Sequence, residues 1–600
     1  KQALGWHKRP IRAFIDKVSY KHGTTGWVFA KPMYDKVDPI TQGAGMIHRV
    51  GNNLSPGWNQ DFIDYFKSLV NGHFPVMVDD DLRGIEDWLD HAPYSRAMKD
   101  KFRRIAREQS FLTTAKAGSD AFVKLESYAE LKNPRFINSP TDAIKCLLGP
   151  LGFAMDKKLF KHMGRLFVKG SKITDWPGLM FNRFGNRPVV NTDFTSMECH
   201  HRDMFAWCTS YWMRHMLRGL NVDRATRRAL AMVVLGVNRM TSARIRCSIV
   251  ETLMSGVAWT SSSNAVLNMA INSYLCLKAK YPDLNGQALT EHFGEFNGIF
   301  EGDDGLFEEI GGKPVTQDDI DELGAKLKYE RHYDYSTAKF CSIVVPYGGN
   351  CLSYDPLKAL LNLSCVDPQY AHARTGTKMA LIRAKALSYR TMFGRSPVVG
   401  ALAWRSLYET RMFDGSAKVE LVLGYGKNVN VEDVVRVETK EKLSVSAEDR
   451  FAYEKAYGLS ITDQLAIENH VYDVSLPLTL PTDGMITART GFIGENPKPK
   501  PFFDELMAMI NEQDLMPMRD GDTLQKRILK HSSNGDAKKG IDAKDLVQVF
   551  LHGGIKLPPP KFRSAELRDR LKRANAHMDS KSKNTPVEWI TPDSTMLRRG

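Results

Sequence analysis

The stretch Phe300-Glu301-Gly302-Asp303-Asp304-Gly305-Leu306-Phe307 constrains this chain more than any other. Two adjacent acids sit between glycines, and apolar residues flank them on both sides. Glycine supplies the backbone freedom of a tight turn, and apolar arms can be buried. The pattern therefore predicts a β-hairpin with two carboxylates at its tip. Paired carboxylates on a rigid turn are natural ligands for a hard divalent cation such as Mg²⁺. The same letters also suit an ordinary surface hairpin, so the question is whether other residues converge on this turn.

Composition narrows the company the hairpin can keep. A chain of 600 residues is too long for one small core, and about two to four lobes are expected. The formal net charge of +14 favours a polyanionic partner, with nucleic acid first and an anionic membrane surface second. All eight cysteines lie between Cys146 and Cys365 without a C-x-x-C pair, which fits reduced residues and not a disulfide framework or zinc finger. The cluster Cys199-His200-His201 with Cys208 is a weak zinc candidate, because neighbours on one backbone rarely converge on one ion. No apolar run approaches the roughly 20 residues that span a bilayer. The chain starts at Lys1 without an initiator methionine, as a processed product or a piece of a longer protein would.

Three further stretches carry polar chemistry. Phe122 to Ile137 alternates as extended structure does, and Lys124, Lys132 and Arg135 within it form a candidate cationic clamp for a triphosphate. Val189 to Glu198 reads as a buried strand ending in Asp193, followed by a turn that carries Glu198. Phe205, Trp207, Tyr211 and Trp212 then mark an aromatic-rich helix, read as core before base-stacking platform. Arg244 to Val250 alternates as a strand. Beyond it, Ser255 and Gly256 permit a flexible loop. Thr260 and Asn264, four residues apart, share one face of a helix running to about Lys280.

The remaining segments are less specific. Asp81 to Gln109 has helical periodicity and basic residues (Lys99, Lys101, Arg103, Arg104, Arg107) suited to a solvated face or to a nucleic-acid backbone. Asp318 to Leu327 fits an amphipathic helix, and Lys326 to His332 is rich in proton-carrying side chains. From Ser353 to about Pro517 the chain reads as helical, with cationic helices such as Met379 to Phe393 and an extended interlude at Val474 to Thr482. The tail beyond Met518 ends in a basic amphipathic helix candidate, Lys561 to Arg573.

A basic clamp, then D-x4-E, then S-G-x3-T-x3-N, then G-D-D forms an ordered series that resembles motifs F, A, B and C of RNA-dependent RNA polymerases of positive-strand RNA viruses. Leu323 to Lys328 and Phe340-Cys341-Ser342 look like motifs D and E, and the Phe-Cys-Ser ending is most similar to the tombusvirus- and nodavirus-like assemblage. The resemblance covers roughly residues 120–350. It implies an α+β right-hand polymerase whose antiparallel palm sheet packs on helices. Residues 1–185 would form the N-terminal region and fingers, 186–204 palm with motif A, and 205–250 a fingers insertion. Residues 251–352 would form palm with motifs B to E, 353–517 the thumb, and 518–600 a C-terminal extension.

The implied chemistry is nucleotidyl transfer from NTPs to an RNA 3′-hydroxyl. Asp193 and Asp303 would hold two Mg²⁺ ions (Mn²⁺ as substitute) about 3.5–4 Å apart, with Asp304 in support. Lys124, Lys132 and Arg135 would hold the triphosphate. Glu198, Thr260 and Asn264 match the positions that read the ribose 2′-hydroxyl, which distinguishes RNA from DNA. The family's commonest residue at the Glu198 position is Asp, so a longer side chain needs different geometry here. Ser255 and Gly256 would form the template-translocation loop. Lys328, Arg331 or His332 would be the general acid on pyrophosphate. The implied partners are template and product RNA, NTPs, other viral replication proteins and an anionic membrane surface, in membrane-associated replication complexes of the host cytoplasm. The competing readings are a reverse transcriptase and a non-catalytic basic RNA-binding protein.

Overall fold

The computed structural model describes residues 57–474 except 93, 109–117, 125–134, 243–245, 251, 348–350, 367–369, 371–372 and 414–441. Before residue 57 it describes only 13–14, 20–22, 26–30, 33–34 and 42. Lys132, the Val474 to Thr482 interlude beyond Val474 itself, and the Lys561 to Arg573 helix candidate thus fall outside the described residues.

Eight strands matter for the site: β1 (Gly118–Val123), β2 (Phe136–Pro140), β3 (Val189–Phe194), β4 (Val237–Thr241), β5 (Arg246–Val250), β6 (Gly298–Glu301), β7 (Asp304–Phe307) and β8 (Leu327–His332). The helices used below are α1 (Gln60–His73), α2 (Asp142–Met163), α3 (Asp203–Leu217), α4 (Thr260–Lys280), α5 (Thr375–Phe393) and α6 (Val399–Glu409). The fold is mixed α+β, with helices around small sheets. One four-stranded sheet has the order β6-β7-β3-β8 and is antiparallel throughout. A second has the order β2-β1-β4-β5, in which only β1 and β4 run parallel.

The antiparallel sheet lies between two hydrophobic cores. Side chains of a strand alternate between its faces. Val190, Phe300 and Phe307 accordingly enter one core, which also receives α1 and α4. Val189, Ile299 and Leu306 enter the other, with Leu387 of α5 and Leu402 of α6. Phe296, Phe300 and Phe307 stack beneath the hairpin at centroid separations of 5.6 to 6.1 Å.

Helix α4 is the central beam. Every residue from Ala265 to Leu277 is buried, which marks a helix enclosed on all sides. It has no glycine or proline inside, and Lys278 and Lys280 in its last turn suit the negative end of the helix dipole. Helix α1, capped by Asn59 accepting the Phe62 N–H at 3.0 Å, packs on it through Phe62 against Tyr274. The Tyr65 hydroxyl also donates to Ser273 at 2.7 Å.

Two local expectations need correction. The Asp81 to Gln109 periodicity forms two helices, Gly84–His91 and Arg96–Arg107. Ala92 precedes a proline and is extended (φ −74°, ψ 136°), since an X-Pro junction disfavours helical backbone. The Asp318 to Leu327 helix shortens to Gln317–Glu322, because Gly324 takes φ +68° and the chain turns into β8. Helix α5 forms where the Met379 to Phe393 reading put a cationic helix, and its Lys378, Arg383, Lys385 and Arg390 are buried. Arg383 donates to the Leu407 carbonyl at 2.9 Å. The aromatic residues of α3 are core as read, with Phe205, Trp207 and Trp212 buried.

Candidate active site

The expected hairpin forms, and its register fixes both acids. Glu301 pairs with Asp304, which leaves Gly302 and Asp303 as the two turn residues. Gly302 has φ +61°, the left-handed conformation required at the first central position of a type II′ hairpin turn. Asp303 therefore occupies the tip and Asp304 opens β7.

Strand β7 brings Asp193 to the same place. Gly305 pairs with Thr192 and Leu306 with Asn191, so continuing the register by one residue sets Asp304 level with Asp193. Electrostatics reports the same proximity. Burial, then the charges of Asp303 and Asp193, push the Asp304 carboxyl up to about 7. A hydrogen bond from the Cys341 thiol opposes that rise, and Glu301 adds to it. Three carboxyls from two distant segments thus repel one another at the end of one sheet.

This donor set suits Mg²⁺ of a particular kind. Among the described residues no three His, Cys, Asp or Glu side chains form a ready ligand group. Mg²⁺ is typically held by one or two carboxylates plus substrate phosphates, and seldom by an all-protein cage. Asp193 and Asp303 fit the role of those two carboxylates. The Cys199-His200-His201 cluster has another use: burial pushes His200 down to about 4, and its Nε2 accepts the Lys326 N–H at 2.8 Å. With Nε2 accepting, Nδ1 carries the proton and faces the Ser196 carbonyl at 3.4 Å. This neutral imidazole, with the Thr195 N–H on the Lys326 carbonyl at 3.0 Å, ties the turn after β3 to the start of β8.

Helix α4 holds the turn from below through a residue the sequence reading passed over. Asn268 is fully buried, and its Nδ2 donates to the Asp303 carbonyl at 2.9 Å and the Gly302 carbonyl at 3.4 Å. Its Oδ1 accepts from Asn272 at 2.7 Å and from the Thr192 hydroxyl at 3.5 Å. One side chain therefore joins the hairpin tip to β3. Thr260, Asn264, Asn268 and Asn272 recur every four residues, a spacing that was available as a signal.

The other site residues divide by position. Asn264 lies one turn before Asn268 on α4 and is half-buried. The Thr260 hydroxyl donates at 2.7 Å to the Met254 carbonyl and lies 2.9 Å from that of Val257, so it braces the preceding loop. Glu198 sits in the short helical turn Met197–His200, after Ser196 at φ +54°. Ser255 and Gly256 are docked on β2. The Ser255 hydroxyl accepts the Asn138 N–H and donates to the Phe136 carbonyl, both at 3.2 Å. Gly256 donates its N–H to the Asn138 carbonyl at 3.0 Å, and a Cβ there would meet that oxygen at 2.6 Å. Lys124 and Arg135 face each other at the base of the β1–β2 pair, the Lys124 N–H donating to the Arg135 carbonyl at 2.8 Å. The loop docking thus couples the polar loop to the strand that carries Arg135 into the fold.

The three general-acid candidates are far from equivalent. Lys328 pairs directly with Asp193 across β8 and β3, so both side chains lie on one face, and Lys328 also pairs with Glu330. Arg331 points to the opposite face and is bound to Glu309 at 2.7 and 2.8 Å. His332 shares the Asp193 face but lies opposite Val189, roughly 13 Å further along the strand. Its ring nitrogens meet Asn191 at 2.8 Å and Thr337 at 2.9 Å, and burial pushes its pKa down.

Among the described residues no helix is long and apolar enough to cross a membrane. The sequence matches no protein-family model and no curated relative.

Proposed function

We propose that the chain is an RNA-directed RNA polymerase that transfers nucleotides from NTPs to an RNA 3′-hydroxyl in viral genome replication and transcription. The observation that carries this reading is the convergence of Asp193, on β3, with Asp303 and Asp304 of the hairpin, where burial and then the neighbouring charges hold Asp304 near 7. The order of the surrounding motifs along the chain supports it.

In this reading the antiparallel sheet and α4 are the palm, the β1–β2 pair belongs to the fingers, and the helices after residue 353 form the thumb. Bound Mg²⁺, or Mn²⁺ in its place, would supply the Lewis-acid chemistry that activates the 3′-hydroxyl and offsets developing charge. Asp193 and Asp303 hold the cations and Asp304 supports them. Lys124 and Arg135, with Lys132, bind and orient the triphosphate through charge-assisted hydrogen bonds. Asn264 reads the ribose 2′-hydroxyl from α4, with Glu198 beside β3 and Thr260 holding the loop in place. Lys328, level with Asp193, is the first choice of proton donor to pyrophosphate; Arg331 is committed to Glu309. The partners are template and product RNA, other viral replication proteins and an anionic membrane surface in cytoplasmic replication complexes.

Extension of a short RNA primer–template in Mg²⁺, with NTPs and dNTPs in parallel, tests the reading. Incorporation of NTPs is expected, and Asn264→Ala is expected to reduce the preference for NTPs over dNTPs by about tenfold or more. A wild-type preference for dNTPs would point to a reverse transcriptase. No extension with either substrate set would leave a non-catalytic RNA-binding protein.

A further inference from the structure

A second group of acids lies directly under the hairpin, and none of its members has a role in the chemistry above. Glu301 immediately precedes the turn and is half-buried; Asp156, on α2, is largely buried, with 14% of its side chain exposed. The two acids repel each other, and Asp303 adds to the load on Glu301. Helix α4 addresses them with consecutive serines. Ser261 donates to Glu301 at 2.8 Å, and Ser262 donates to Asp156 through a short hydrogen bond. One cation serves both acids. Lys169 lies 3.0 Å from Asp156, and its charge also acts on Glu301.

Backbone pairing fixes the position of this lysine relative to the hairpin. The Phe300 N–H donates to the Leu166 carbonyl at 2.8 Å, and the Val168 N–H donates to the Phe300 carbonyl at 3.4 Å. Leu166 to Val168 thus run beside β6 as an extra edge, and Lys169 emerges next to the last residues before the turn. The Phe160 ring, 5.3 Å from the ammonium, covers it from α2. Removing that ammonium would take away the positive charge that offsets Asp156 and Glu301 and leave them the neutral hydroxyls of Ser262 and Ser261.

We propose that Lys169, anchored by Asp156, is a positioning residue that acts through Glu301 to hold the hairpin tip where Asp303 meets Asp193. The inference rests on the polymerase reading for its kinetic consequence but not for its geometric one. A like-charge repulsion at the last pair of a hairpin acts directly on the turn, and an ion pair anchored in a neighbouring helix counters it.

A double-mutant cycle tests this, with primer extension and Mn²⁺ binding (free Mn²⁺ followed by electron paramagnetic resonance) as independent readouts. Lys169→Met is expected to lower kcat about tenfold or more while NTP KM stays within about twofold, because the displaced group binds no nucleotide. Its Mn²⁺ affinity should fall, and Lys169→Arg should restore most of both. In the Glu301→Gln background, Lys169→Met should cost less than about threefold, because the charge it balances has gone. Equal losses in both backgrounds, or Mn²⁺ binding that is unchanged or tighter, would overturn the proposal. Should Lys169→Met fail to fold, Lys169→Gln read in the same two backgrounds decides on the same criteria. A wild-type chain that does not extend primers defeats the polymerase reading alone, and the Mn²⁺ arm still decides the role of Lys169.

Discussion

Asp61, bonded to the central helix α4, and Asp304, in the hairpin above it, show opposite uses of a carboxylate. Asp61 accepts the Gly286 N–H at 2.7 Å, the Tyr274 hydroxyl at 2.9 Å and the Lys278 ammonium at 3.2 Å. Burial works to raise its pKa, but these partners win and hold it below the usual carboxylate value. Asp304 has the Cys341 thiol as a hydrogen-bond donor, but burial and then the three carboxylates around it push it up to about 7. The first acid joins α1, α4 and the turn at Gly286. The second costs the fold stability, and the fold retains it. Such a cost persists where surrounding structure over-determines it, as at functional sites.

The sharpest way to break that contrast is Asp304→Asn. Folded Asp304 keeps its proton up to about pH 7, whereas the unfolded chain releases it near the ordinary 3.8. The fold therefore loses stability as pH rises between these values, and the neutral variant does not. Without divalent cation, the two proteins should melt together near pH 4. At pH 8 the variant should be more stable by on the order of a few kcal/mol, while extending RNA at least about a hundredfold more slowly. A variant less stable than wild type at pH 8 would remove the claim of electrostatic crowding.

Asn268→Leu probes the support beneath the turn. It leaves the buried carbonyls of Gly302 and Asp303 without their donor and strands Asn272, costing about 1–3 kcal/mol. Thermal melting should show that loss, together with reduced extension. Asn268→Asp should do no better, since a carboxylate cannot donate to those carbonyls. Melting at wild-type temperature for both would exclude the proposed support.

The smallest effect is expected on the Asp61 side. Its folded pKa is depressed, so its contribution is present above the unfolded value and fades as pH falls through the folded one. Asp61→Asn should lower stability at pH 7 by about 1 kcal/mol or less, because the group is partly exposed and screened. The difference should shrink as pH falls below the ordinary 3.8 and through the lower folded value. A difference that grows on acidification would reverse the assignment.

Local pattern and long-range contact account for what was legible in advance. The hairpin, β3 and α4 follow from alternation, helical spacing and turn glycines, all of which are properties of short segments. The partnership of Asp193 with the hairpin rested on the resemblance, and β7 pairing with β3 supplies its geometry. Cys341 was read as part of a downstream motif, but its reach to Asp304 depends on a turn in which Cys341 and Ser342 both take positive φ. The burial of the α5 cations was not legible, because a count of lysines and arginines says nothing about burial. Lys169, Asp156 and Asp61 have no local signature, since each matters only through segments far away in the chain. The docking of Ser255 and Gly256 on β2 is of the same kind.

If the crowded acids at the Gly302–Asp303 turn form a catalytic centre, neutralising either of the two proposed metal ligands stops RNA extension. Single-turnover extension of an RNA primer–template in Mg²⁺ tests it most directly, comparing wild type with Asp193→Asn and Asp303→Asn. A loss of at least about a thousandfold is expected for each variant, with RNA binding and melting temperature preserved or raised. Extension at the wild-type rate by either variant would contradict it.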